Sequence, residues 1–250
     1  MDLVGDLLAR DRRSRDAALV TPDGRERTYH DLITNGYKAA NVLRYLGVRT
    51  GATVAVDPTP GFHTTLAFLG AAAVGAPVRF DPKAGIEAGD RVVLVPVAAA
   101  IALDPAPGTK LAAFGGPPER PETTHWEQEL WSENPGMPPS DVDPNDAAVL
   151  GANGQFSHRD LCSVAAAAVE AAEMTAEKRV VLRRPLSDAP ALAAGLVAPL
   201  SVGGVAVLAP PSRDEGLDGE PRGDVAVAPS DTDVPEPRQL DPTSLASKTD

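Results

Sequence analysis

What the chain lacks narrows its chemistry first. One cysteine, Cys162, in 250 residues excludes an internal disulfide and a cysteine-rich zinc centre. The four histidines, His30, His63, His125 and His158, are scattered and show no paired ligand spacing. No G-x-S-x-G elbow, Walker lysine loop, H-E-x-x-H pair or Rossmann glycine fingerprint occurs. The first residues have neither the basic start nor the apolar centre of a signal peptide. One stretch, 189–212, carries no charge, but it is rich in Ala, Gly and Val and is broken by Pro190, Pro199 and Pro210. Without aromatic or basic flanks it reads as a buried helix and a buried strand, not a membrane span. The reading is of a soluble, cytoplasmic protein.

Lysine is scarce too. Five lysines stand against 18 arginines, and 22 aspartates against 13 glutamates. The net charge of −12 argues against a nucleic-acid backbone or an anionic membrane as the main partner. Short carboxylates with few lysines suit a surface hydrated in concentrated salt, where repulsion is screened within about 3 Å at 1 M. A GC-driven codon bias would leave the same composition. Hydrophobic residues at 43% suffice for a real core, and charged residues at 23% fit a globular chain.

The pattern along the chain is of strands alternating with helices. Two short strands, 18–21 and 27–29, flank Asp23-Gly24 as a hairpin. Leu32, Ile33, Ala39, Ala40, Val42, Leu43 and Leu46 then mark an amphipathic helix over 31–46, closed by Gly47. Strands are predicted at 53–56, 77–80, 92–95, 110–114, 147–150, 179–182 and 204–208, and helices at 62–74, 98–103, 158–174 and 189–200. Ser157 is the N-cap of the helix from 158. This alternation predicts an α/β fold: a layered, mostly parallel sheet with flanking helices. No internal repeat is legible. Residues 115–146 form a long polar connection with one short helix around Trp126 and Trp131, which would dock that helix on the domain. The expected division is a domain over 1–210 followed by an acidic, proline-rich tail over 211–250. That tail holds six prolines, ten acidic and four basic residues and is expected to be disordered, with only 225–227 capable of forming a strand.

Several motifs, in order, resemble the amino-terminal portion of the AMP-forming acyl-CoA synthetases and related adenylating ligases. Thr28, Tyr29 and Leu32 fit a Thr-Tyr-x-x-Leu signal after a hairpin. Leu46, Gly47, Val48, Gly51, Val54 and Ala55 fit Leu-Gly-Val-x-x-Gly-Asp-x-Val-Ala. Gly75-Ala76, with Asp81-Pro82 beyond, fits a turn after the second helix. The likeness spans roughly 1–210 and implies that family's fold, with ATP, magnesium and CoA as the ligands of a working member.

The resemblance fails where the chemistry would lie. After the 147–150 strand the family carries a loop of the type T-S-G-T-T-G-x-P-K-G, whose N–H groups, hydroxyls and lysine hold the ATP phosphates. Here the residues are Gly151-Ala152-Asn153-Gly154, without hydroxyls or lysine. The resemblance leaves Gly151, Asn153, Gly154, Ser157 and Arg159 as a vestigial nucleotide-binding set, with Arg159 the candidate cation. Pro185-Leu186 is followed by Ser187 in place of the family's histidine element. A triphosphate needs cations to offset its charge. The expectation is therefore a non-catalytic relative with no catalytic residue, metal or bound cofactor, acting in regulation or with a protein partner, as a homo-oligomer or with another ligase chain. Two alternatives stay open: an acyl-CoA ligase whose missing parts come from a partner, and an acyl- or carboxylate-binding module.

Ser157, His158 and Asp160 are too close on one helix turn to form a relay, so Ser157 is expected to cap the helix. Cys162 is expected to be a buried, inert thiol. A salt-adapted surface predicts that the helical circular dichroism collapses on transfer from molar salt to dilute buffer; an unchanged spectrum assigns the composition to codon bias.

Overall fold

The computed structural model describes residues 1–82, 89–151, 154–209 and 222–246. Two sheets are built from strands that lie far apart in the chain. The first joins β1 (Ala17–Val20), β2 (Glu26–Thr28), β10 (Arg179–Leu182), β11 (Val205–Leu208), β12 (Val225–Val227) and β13 (Arg238–Leu240) in the order β13-β12-β10-β11-β1-β2. The second joins β3 (Thr53–Val56), β4 (Val78–Arg79), β5 (Asp90–Pro96), β6 (Lys110–Phe114), β7 (Thr124–His125), β8 (Ala147–Gly151) and β9 (Gly154–Ser157) in the order β7-β6-β5-β3-β4-β8-β9. All pairings are parallel except the edge hairpins β1–β2 and β8–β9. The α/β class read from the sequence holds, with its strands divided between two sheets.

Period-2 alternation decides which face of each strand is shared. Val54, Val56, Val92 and Leu94 of one sheet and Val180, Leu182, Ala206 and Leu208 of the other belong to a single apolar cluster. The helices fill it: α1 (Tyr29–Tyr45), α2 (Phe62–Ala73), α5 (His158–Ala172), and the continuous helical stretch of α6 (Ala189–Leu192), a π-helical turn (Ala193–Val197) and α7 (Ala198–Ser201). The opposite faces carry smaller clusters. Ala55, Val93, Val95, Leu111 and Ala113 pack beneath α3 (Val97–Ala100), and Val20, Val181, Val205, Val207 and Ala209 form the other.

The layer is thin because small residues meet in it. A Cβ added at Gly70 of α2 would lie 2.8 Å from the backbone nitrogen of Ala40 and 3.0 Å from Ala39 Cβ, so α1 and α2 touch nearly backbone to backbone. Two local units are alike. The hairpin β1–β2 leads into α1 through a capping box of Thr28 and Asp31, and β8–β9 leads into α5 through one of Ser157 and Asp160. The sequence shows no repeat; the structure shows the same hairpin, cap and helix twice.

The expected disordered tail is corrected for residues 222–246; 211–221 and 247–250 lie outside the described residues. Val225–Val227 is fully buried between β10 and β13, Leu240 and Leu245 are buried, and α8 (Thr243–Ala246) packs on α5. The polar residues that suggested disorder are engaged. Arg183 donates to both oxygens of Glu236, from Nε at 2.9 Å and Nη2 at 2.8 Å, with the side chains 2% and 0% exposed. Asp224 Oδ2 accepts from Arg179 N at 2.8 Å, and Arg238 donates to Ala172 O at the end of α5 at 2.9 Å. Bulk composition missed these pairings because every partner lies on another segment.

Removing one charge of a buried pair strands the other. Glu236→Gln is expected to cost about 3–5 kcal/mol in chemical denaturation, whereas Asp231→Asn, exposed on the same segment, should cost less than about 0.5 kcal/mol. Equal stabilities for the two variants would mean that the segment contributes nothing to the fold.

Candidate functional site

The hairpin β8–β9 is where the resemblance places the phosphate loop. Gly151 pairs with Gly154 and Ala147 with Ser157, so the strands close on each other across two residues. Gly154 has φ +120°, in the region that favours glycine. Asn153 lies outside the described residues. The pairing register separates the other four candidates. Gly151 and Gly154 stand at the tip, while Ser157 and Arg159 stand at the opposite end of β8, about 13 Å away at 3.3 Å per residue. β9 carries the chain back along β8, and that reversal was not legible in the sequence.

Ser157 is a helix cap. Its Oγ accepts from Asp160 N at 3.1 Å and donates to Asp160 Oδ2 at 2.7 Å. Arg159 is exposed; its backbone N–H donates to Pro144 O at 2.8 Å, and its side chain lines a hollow beside Asp2 and Cys162. His158 is wholly buried and its Nδ1 accepts from Val4 N at 3.3 Å. The three residues therefore form no relay. Burial pushes the Cys162 thiol up to about 11, which keeps it protonated and unreactive at neutral pH.

A second set of residues converges around α4, where the sequence showed only scattered histidines and a docked helix. α4 (Trp126–Ser132) lies against α1 and β6. Between α1, α2 and α4 is a cavity of about 400 Å³ reached by Arg27 from β2, Lys38 from α1, Phe62 and His63 from α2, and Glu127 and Trp131 from α4. Trp126 docks the helix as expected, being fully buried, but Trp131 is 86% exposed at the rim. Glu127 is held from three sides. Its Oε1 accepts from Gly115 N at 2.6 Å and lies 3.6 Å from His63 Nε2, and its Oε2 lies 3.5 Å from His125 Nε2. Burial holds His63 below its ordinary value, against the pull of Glu127 and with a smaller push from Arg27. Among the described residues no group of three His, Cys, Asp or Glu side chains could hold a metal ion. These residues are spread from Arg27 to Trp131 with no common spacing, so no linear motif could have announced them.

No model of a known protein family and no curated protein matches the sequence. Solved structures do share the fold. The anthranilate CoA ligase AuaEII, in complex with anthranoyl-AMP, aligns with TM-score 0.73 and 20% identity over 84% of this chain and 45% of its own. A benzoate CoA ligase from Burkholderia xenovorans aligns with TM-score 0.72 and 19% identity over 90% and 50%, respectively. The N-terminal domain of FACL13 from Mycobacterium tuberculosis aligns with TM-score 0.70 and 20% identity over 86% and 58%. The chain thus has the fold of the amino-terminal portion of CoA ligases and spans about half the length of these proteins. Among its described residues no helix is long and apolar enough to cross a membrane.

The two depressed histidines set a pH dependence. Burial lowers both His158 and His63 from 6.5, so the unfolded chain takes up protons that the folded chain refuses. Their contribution to stability is full above about pH 6.5 and is lost as the pH falls through the lower folded values. Thermal unfolding midpoints should fall between about pH 6.5 and 5, and His158→Gln should flatten that slope. An identical slope in the variant would assign the acid limb to other groups.

Proposed function

We propose that this chain is a ligase-fold module that does not itself adenylate a carboxylate. The observation carrying this reading is the pairing of Gly151 with Gly154, which closes β8 onto β9 through Ala152 and Asn153 alone. A triphosphate is stabilised by a ring of N–H groups together with lysine, arginine or magnesium. A two-residue connection has little backbone to offer, and the segment 147–157 contains no basic residue. Arg159, the nearest cation in sequence, sits at the far end of the strand. Residual nucleotide contact at Gly151, Asn153 and Gly154 would rest on backbone groups without a counter-charge.

On this reading the module binds no ATP, magnesium or CoA of its own and works by regulation or association, with a protein partner or a second copy. A rival reading, with a partner chain completing an acyl-CoA ligase, draws on the share of each ligase that the chain spans.

The test is carboxylate-dependent exchange of pyrophosphate into ATP by the purified chain, with anthranilate, benzoate and fatty acids, in dilute and in molar salt. No exchange above the enzyme-free blank is expected, together with no calorimetric heat from magnesium-ATP. Exchange that depends on an added acid would overturn the proposal.

A further inference from the structure

We infer that the cavity between α1, α2 and α4 binds a small aromatic anion, a flat ring carrying a carboxylate or a phosphate group. The inference is independent of whether the hairpin binds nucleotide, because the residues concerned lie on other elements.

The first observation is a cation without a counter-ion. Six arginines among the described residues, Arg25, Arg79, Arg179, Arg183, Arg184 and Arg238, hold a carboxylate. Arg27 does not. Its guanidinium carbon lies 4.6 Å from the centroid of the Phe62 ring, and its Nε is shielded from solvent with no hydrogen-bond partner. Lys38 reaches the same cavity from α1. No carboxylate among the described residues lies within ion-pair distance of either side chain. In a chain of net charge −12, two converging cations without a neutralising partner are a place for an external anion.

The second observation is that the one carboxylate lining the cavity, Glu127, is held at its wall through Oε1, while its Oε2 is buried without a hydrogen bond. Glu127 takes the Gly115 N–H and faces two imidazoles, which ties it to the wall. His63 Nδ1 remains buried without a partner. Arg27 and Lys38 give the cavity two cationic donors whose hydrogen-bonding capacity is free, a pair that fits oxygen atoms of a ligand and disfavours an alkyl chain, which would leave them unsatisfied.

The third observation is the aromatic frame. Phe62 forms part of the lining beneath Arg27, and Trp131 stands 86% exposed beside it although α4 already buries Trp126 and Leu130 to dock. A tryptophan left in water at the mouth of a cationic cavity is placed to cover a ring. The volume of about 400 Å³ lies within the range of small-ligand pockets and would take a single substituted ring with room for water.

The experiment is titration of the full chain with benzoate and with phenyl phosphate, followed by calorimetry and by tryptophan fluorescence. Acetate and inorganic phosphate serve as ringless controls. At least one aromatic anion should bind saturably, at least about tenfold more tightly than its ringless counterpart. Which of the two binds identifies the oxyanion. Arg27→Gln should weaken it by about tenfold or more, the scale of a lost charge-assisted hydrogen bond. Trp131→Ala, at an exposed position that leaves folding intact, should erase the advantage of the ring. Absence of saturable binding by both aromatic anions would overturn the inference, as would equal affinity for the ringless controls or unchanged affinity in both variants.

Discussion

The close contact of α1 with α2 at Gly70 is the constraint on which the rest of the molecule depends. Any side chain at that position would enter the backbone of Ala39 and Ala40 and push the two helices apart. The same economy recurs at Gly36, where a Cβ would meet Leu8 Cδ2 at 2.6 Å, and at Gly195, where it would meet Leu182 at 2.8 Å. Two sheets can share one layer of helices only if that layer is thin and uniformly packed, since a gap on either side leaves apolar surface without contacts. Alanine and glycine at the crossings provide this. The geometry then reaches the cavity, because α1 and α2 carry Lys38 and His63 to the same space, which α4 closes.

Much of this architecture was legible, for reasons that differ between elements. α1 announced itself by its 3.6-residue apolar period and the closing Gly47, although it begins at Tyr29, two residues before the expected start, through the capping box of Thr28 and Asp31. Strands 53–56, 110–114 and 179–182 were found at their observed bounds because short β-branched or apolar runs lay between glycine, proline and charged residues. What no local pattern could give was the distribution of strands between two sheets, since parallel neighbours are chosen by packing across the helix layer. The same ignorance misjudged residues 222–246. β12 and β13 are three residues each, too short to show a period, and the salt bridge that fixes them joins Arg183 to a glutamate 53 residues away. A proline-rich, acidic average cannot distinguish a solvated tail from a chain in which Asp224 and Glu236 have partners on a distant segment.

The site residues divide along the same line. Ser157 was read as a cap and is one, because capping is a contact within four residues. Arg159 was a candidate through the resemblance, at the start of the helix after the hairpin, and the structure has it in the first turn of α5, at the end of β8 away from Gly151 and Gly154. The cationic cavity was invisible for the opposite reason. Arg27, Lys38, His63 and Trp131 come from four elements, and each has a bland local explanation on its own strand or helix.

The hairpin and the cavity differ in what the fold requires of them. β8 is held by β4 on one side and β9 on the other, so the ladder is complete whatever connects Gly151 to Gly154. The pairing of β8 with its neighbours therefore does not depend on the residues that join it to β9. Nothing comparable excuses Arg27. Shielding its Nε without a hydrogen bond costs stability that stacking on Phe62 offsets only in part. Arg27 stacks on Phe62 at a cavity that Lys38 also reaches, with no carboxylate among the described residues on either, and that convergence argues for an occupant that the protein alone does not supply.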